Sequence, residues 1–249
     1  MALIHPDERP PSLLRRSGEV AQLWPRLLRS FGHLQPRGPL DGDPVLVIPG
    51  FLATDRTTME LRRALAEAGY RVYPWKLGLN RGAHKDIVRH LRQRLEEVHD
   101  GRPVLLVGWS LGGVFARELA REVPSRVRAV VTLGSPFSGT PYMTNVWKLY
   151  ERIAGHKVDA PPIPHHPHKP PVPALALWSR QDGIVAPRAA RGLPDESDAA
   201  VELRCSHMAF GVGARATREA VRAIDRFLAE QEGAAASSKR SVGAGKERS

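Results

Sequence analysis

The chain contains a single cysteine, Cys205, among 249 residues, so it can form neither an internal disulfide nor a cysteine-based metal cluster. Aromatic residues are scarce at 6 %, and the core must therefore come from aliphatic side chains, which are plentiful and regularly placed. No long apolar run is present. Met1 to Pro11 carries His, Asp, Glu, Arg and three prolines where a secretory signal needs an apolar stretch, and no segment has the length and apolarity of a membrane span. The expectation is a soluble, cytoplasmic protein. Negative charge is also in short supply: 26 Asp and Glu against 37 Lys and Arg leave a net charge of +11. Such an excess can mark nucleic acid, a membrane surface or acidic substrates. Here the arginines (Arg62, Arg89, Arg92, Arg121 and others) are scattered along helix faces, without the aromatic-interleaved basic motif of a nucleic-acid module. Nucleic acid is not expected as a partner.

What is present begins with Gly108-Trp109-Ser110-Leu111-Gly112-Gly113. Before it, Pro103 to Val107 is a short run rich in Val and Leu, as a buried parallel strand requires. After it, Val114, Phe115 and Leu119 fall at helical spacing. A strand that turns into a helix at G-x-S-x-G is a nucleophile elbow, which lifts a serine hydroxyl above the sheet edge in a strained backbone conformation. The helix start also aims free backbone N–H groups at any anion formed there.

The pattern continues on both sides. Residues 12–31 carry an apolar stripe at helical spacing with arginines opposite, which predicts an amphipathic helix docked on the main body or on a second copy, with peripheral membrane contact as the alternative. With the Pro/Gly-rich linker 35–44, it forms an N-terminal segment, 1–42. Strands are expected at Val45–Ile48, Tyr70–Trp75, Pro103–Val107, Val127–Leu133, Ala174–Trp178 and Val201–Cys205. Helices are expected at Thr57–Ala68, Arg81–His99, from Val114 onward and at Thr217–Leu228. This alternation predicts an α/β fold, a mostly parallel sheet with helices on both faces, over 43–230. Residues 141–173 break the pattern and read as a short Pro/His-rich, cap-like insertion near the site. Its His165, His166 and His168 lack a neighbouring cysteine or carboxylate pair and are read as solvent-exposed, so no metal is expected. Residues 231–249 have almost nothing to bury and predict a disordered tail.

In such sheets ligands bind beyond the carboxyl ends of the strands, which gathers the loops 49–56, 108–112, 134–140 and 179–187. A serine needs a base, and the base needs a carboxylate to fix its tautomer. His207 alone of the ten histidines lies between the last strand and the last helix. Asp182 directly follows the strand 174–178 and precedes Gly183, whereas Asp195, Glu196 and Asp198 sit in a polar loop read as facing solvent. The expected triad is Ser110, His207 and Asp182. The expected oxyanion donors are the backbone N–H groups of Leu111 and of Phe51, with Leu52 as the alternative to Phe51. Ser135 is read as structural.

Pro49-Gly50-Phe51-Leu52, Gly108-Trp109-Ser110-Leu111-Gly112-Gly113, Gly134-Ser135-Pro136, Ser179-Arg180-Gln181-Asp182-Gly183 and Ser206-His207-Met208, in this order, resemble the motifs of an α/β-hydrolase, most closely its compact lipase- and esterase-like branch. The resemblance spans about residues 43–230. It departs at Pro49-Gly50, where lipases often have His-Gly. It implies a cofactor-free serine hydrolase acting on small-molecule or lipid carboxylic esters through an acyl-Ser110 intermediate. Phe51, Trp109, Phe137, Met143 and Met208, on or beside the site loops, are expected to line an apolar acyl pocket. An acyltransferase on the same triad and a non-catalytic binding protein of the same fold are the competing readings.

Overall fold

Short runs of Val, Leu, Ile and Ala that are apolar on both faces can be satisfied only inside a sheet covered on both sides. Four such segments form the centre of one six-stranded sheet, flanked by two shorter, half-buried strands, in the computed structural model, which describes residues 8–11, 19, 36–164 and 166–246, with side chains to residue 237. The strands are β1 (Pro44–Ile48), β2 (Arg71–Pro74), β3 (Val104–Trp109), β4 (Val127–Leu133), β5 (Ala174–Trp178) and β6 (Ala199–Glu202). They lie in the order β2-β1-β3-β4-β5-β6, and every pairing is parallel. The register sets Ile48 against Gly108, Trp109 against Leu133, and Leu133 against Leu177. Their carboxyl ends therefore finish along one edge.

Side chains alternate across this sheet. Val45, Val47, Leu105, Val107 and Val131 pack under α1 (Met59–Glu67) and α7 (Ala214–Lys246) on one face. Leu46, Ile48, Leu106 and Val130 meet α2 (Ile87–Val98) and α3 (Leu111–Glu122) on the other. Three short α-helices complete the set among the described residues: α4 (Trp147–Ala154), α5 (Pro187–Arg191) and α6 (Ala209–Val212). Among the described residues, no helix is long and apolar enough to cross a membrane.

Several boundaries differ from the sequence reading. The helix expected from Arg81 begins only at Ile87, because Gly82 takes φ +109° and Asn80 spends its hydrogen bonds on the loop after β1. The last strand lies at 199–202 rather than 201–205. Beyond Leu203, whose N–H still bonds Trp178 O, the chain turns around the Ser179 hydroxyl. The tail is helical to Lys246 rather than disordered from 231. Extending a helix already anchored on the sheet needs no new nucleus, and Ala, Glu, Gln, Lys and Arg propagate it well. The amphipathic stripe over 12–31 lies outside the described residues except for Glu19, which is helical and buried.

Candidate functional site

Ser110 sits between β3 and α3 with φ 54° and ψ −125°, in the left-handed region that a side chain rarely occupies. Local packing enforces the turn. A Cβ on Gly108 would collide with Gly112 O and Gly113 Cα, and one on Gly112 would collide with Ile48 O. Strand, turn and helix can approach this closely only where those atoms are missing. The Ser110 N–H donates to Leu133 O at 2.8 Å, which ties the turn to the end of β4. The serine side chain opens into a cleft.

His207 and Asp182 meet beside the same point. Their side chains are buried, and Nδ1 of His207 lies 2.7 Å from Asp182 Oδ2. An ionised carboxylate only accepts, so Nδ1 carries the hydrogen and Nε2 is left as the ring's acceptor. A Cβ on Gly134, the residue after Leu133, would lie 3.0 Å from Asp182 Oδ2 and 3.2 Å from His207 Nδ1. The pair is thus packed against the strand end that also holds Ser110. The other oxygen of Asp182 accepts the N–H groups of Ile184 and Val185, each at 2.8 Å. His207 is held from behind: Trp109 Nε1 donates to its carbonyl at 3.1 Å, and the two rings lie 5.8 Å apart. Ser179 joins the two loops, donating from its hydroxyl to Cys205 O at 2.7 Å. Burial alone would push the His207 imidazole down. The Asp182 carboxylate, by charge and by hydrogen bond, and then Glu19 outweigh it and hold His207 above its ordinary value of 6.5.

The loop after β1 runs beside the serine turn: a Cβ on Gly50 would lie 3.0 Å from the Ser110 Cβ. Leu111 is the first residue of α3, and its N–H has no acceptor within the helix. In the loop after β1, the Leu52 N–H is already bonded to Asn80 O at 2.7 Å, whereas the Phe51 N–H, like that of Leu111, has no acceptor among the described residues. Of the two donors weighed from sequence, Phe51 is the one left available. Asn80, which sequence reasoning did not single out, braces this loop. It is buried, its Nδ2 donates to Pro49 O at 2.9 Å, and its Oδ1 accepts Gly82 N–H at 3.1 Å.

The cleft has apolar walls. Phe51, Leu111, Val114 and Phe115 line it from the sheet side; Tyr150 of α4 and Ile163 line it from the segment 141–173. Phe51 and Tyr150 stack with centroids 5.1 Å apart, and the Tyr150 hydroxyl accepts Ala83 N–H at 3.0 Å. Residues 166–168 are anchored on α3. Buried Arg117 of α3 donates to Pro167 O, His168 O and Glu196 O at 2.7 to 2.9 Å and stacks on Phe137 at 4.1 Å. Glu118 accepts from the His166 backbone and meets its Nδ1 at 3.0 Å. Glu196, read as facing solvent, is instead buried and accepts Leu193 N–H at 2.6 Å. His165 lies outside the described residues.

Of the five expected pocket residues, Phe51 lines this cleft and the other four do not, and that part of the expectation is corrected. Trp109 shares the face of Leu105 and Val107, opposite α3, and packs toward α6. Phe137 is buried beneath Gly192 and Arg117. Met143 packs with Trp178 and Val185 in a separate cluster, and Met208 packs on the α7 side. The walls come instead from α4 and from residues 158–164. The available signal was Val146, Trp147 and Tyr150 at helical spacing in a helix with no fully buried residue.

A sequence model of the alpha/beta hydrolase fold matches residues 78–153. The search of curated proteins gives no match. Among solved structures the chain is similar to MGS-MChE2, an alpha/beta hydrolase enzyme from a lagoon-sediment metagenome of Mar Chica, Morocco. The two share 21 % identity and a TM-score of 0.53, with 79 % of this chain and 94 % of that one covered. A monoacylglycerol lipase of Paleococcus ferrophilus aligns at 16 % identity and TM-score 0.54, over 76 % and 96 % of the chains. A carboxylesterase of Bacillus subtilis aligns at 13 % identity and TM-score 0.51, over 82 % and 97 %. All-parallel strand order, serine turn and these likenesses agree: the chain has the α/β-hydrolase fold.

Proposed function

We propose that the protein is a serine hydrolase that cleaves carboxylic esters with hydrophobic acyl groups. One observation carries the reading: Ser110, in a left-handed turn at an apolar cleft, lies against the strand end that also holds a buried His207–Asp182 pair. The Ser110 Oγ attacks the acyl carbon while His207 Nε2 takes the hydroxyl proton. The carbonyl oxygen gathers charge and is met by the N–H groups of Phe51 and Leu111. The tetrahedral adduct expels the alcohol, which receives the proton from His207. Water, deprotonated by the same Nε2, then releases the acid and restores Ser110. Asp182 keeps the tautomer and stabilises the imidazolium without taking its proton. The cleft walls named above offer the acyl chain aliphatic and aromatic contact and no charge. The lipase and carboxylesterase similarities fit this substrate class.

Labelling with a fluorophosphonate tests the reading. The expected result is one adduct per chain on Ser110, absent in Ser110→Ala and strongly slowed in His207→Ala. A series of p-nitrophenyl esters should favour apolar acyl groups. No adduct on folded protein, or a preference for charged acyl groups, would overturn the proposal.

A further inference from the structure

Glu19 is a carboxylate from the N-terminal segment that is 2 % exposed and meets no cation among the described residues. Taking a carboxylate out of water is unfavourable unless hydrogen bonds replace the lost solvent. Here three backbone donors replace it. Oε1 accepts His207 N–H at 2.7 Å and Gly183 N–H at 3.0 Å, and Oε2 accepts Met208 N–H at 2.9 Å. The donors belong to two separate loops. Gly183 follows Asp182, and His207 is the base itself.

We propose that Glu19 is a positioning residue of the site: its carboxylate clamps the acid loop to the base loop and sets a second negative charge behind the imidazole. The inference rests on the reading of Ser110, His207 and Asp182 given above. Two effects follow from the geometry. The clamp fixes the separation of the Asp182 and His207 backbones, on which the 2.7 Å contact of their side chains depends. The charge favours the imidazolium that forms as Ser110 gives up its proton. Among the described residues, both charged groups that act on His207 are carboxylates, Asp182 from the loop after β5 and Glu19 from outside the sheet. Cys205, on the same turn, adds no charge. Burial first, and then Asp182, Glu19 and Glu219 of α7, push its thiol up to about 12.

Glu19→Gln keeps the shape, removes the charge and turns an NH2 group toward amide N–H donors. The expected result is Ser110 labelling slowed about ten- to a hundred-fold, the scale at which misplacing a catalytic group acts. Ester turnover should show this in kcat with KM near the wild-type value. The acid limb of the rate should move to lower pH, and so should the His207 ring titration followed by NMR. Glu19→Asp keeps the charge but is one methylene short, so it should slow labelling while leaving the acid limb in place. A purely structural role would move thermal unfolding and not the limb. Folded Glu19→Gln with the wild-type rate, acid limb and His207 titration would overturn the proposal. If Glu19→Gln does not fold, Glu19→Asp labelling at the wild-type rate would overturn it. The parent reading fails separately, through absence of a Ser110 adduct in the wild type. In that case the NMR titration, which needs no reaction, decides whether Glu19 acts on His207.

Discussion

His207 must be neutral before it can accept a proton from Ser110, and its surroundings oppose that neutrality. Burial lowers its pKa, but Asp182 and then Glu19 raise it further, so it titrates above 6.5 in the folded protein. The acid limb of kcat/KM, which reports the free enzyme, should therefore have its midpoint above pH 6.5. Stability should respond in the opposite sense. A raised folded pKa means that the imidazolium–carboxylate contact contributes in full below the unfolded value of 6.5 and is lost as pH rises through the folded value. The difference in denaturant midpoint between wild type and His207→Gln should shrink as pH rises across that window. Asp182→Asn should leave the fold intact and lower kcat by roughly three to four orders of magnitude, because an amide can hold the ring in the wrong tautomer. Both variants are read by ester turnover at the wild-type optimum alongside circular dichroism.

The elements around these residues have little slack. At the elbow, a methyl group on Gly112 would meet Ile48 O and, at 2.7 Å, Pro49 O, and neither backbone atom can swing aside as a side chain could. Gly112→Ala should destabilise by about 2 kcal/mol, within the usual range for overpacking. It should also slow Ser110 labelling, since the displaced loop carries the Phe51 N–H. Arg117 makes a comparable case on α3. Replaced by Met, it would leave the Pro167 carbonyl without its donor and take one donor each from His168 O and Glu196 O, which keep Arg121 and the Ser197 hydroxyl, at a cost of about 2 kcal/mol. Thermal unfolding would measure the loss, and KM for apolar esters should rise as the wall formed by residues 158–164 loosens. Elements of this type differ in how far a sequence reveals them. The elbow was legible because G-x-S-x-G between a Val/Leu run and a helical stripe has few other solutions. Asp182 and His207, whose side chains meet, stood out because each lies in a loop after a strand that the sequence marks. The pocket walls were not legible, because proximity along the chain does not imply proximity in space. Trp109 adjoins Ser110, yet strand alternation sends its ring to the far side of the sheet. Glu19 and Asn80 carried no signal, because a lone Glu in a basic amphipathic stripe and a lone Asn in a loop look like solvated residues until their donors are seen.

Over the whole molecule, the alternation of strands and helices fixed the doubly covered parallel sheet, since each apolar run had to be buried on both sides. What it could not fix was where burial ends, and α7 makes the point. Val221, Ile224, Phe227 and Leu228 are buried against the sheet, at the spacing that turns one helical face inward. Past Leu228 no residue through Ser237 is buried, although the helix itself continues to Lys246. Helical backbone and contribution to the core therefore part company within one element. Phe227→Ala should destabilise by about 3 to 5 kcal/mol, the loss usual for a buried aromatic ring. A chain ending at Glu232 keeps that face and the Glu232 partner of Arg128. It should unfold at the wild-type temperature and label at Ser110 at the wild-type rate. A clear drop in its unfolding temperature would mean that the outer turns of α7 are seated on a surface of this or another molecule, and the boundary of the structural unit would then lie beyond Glu232.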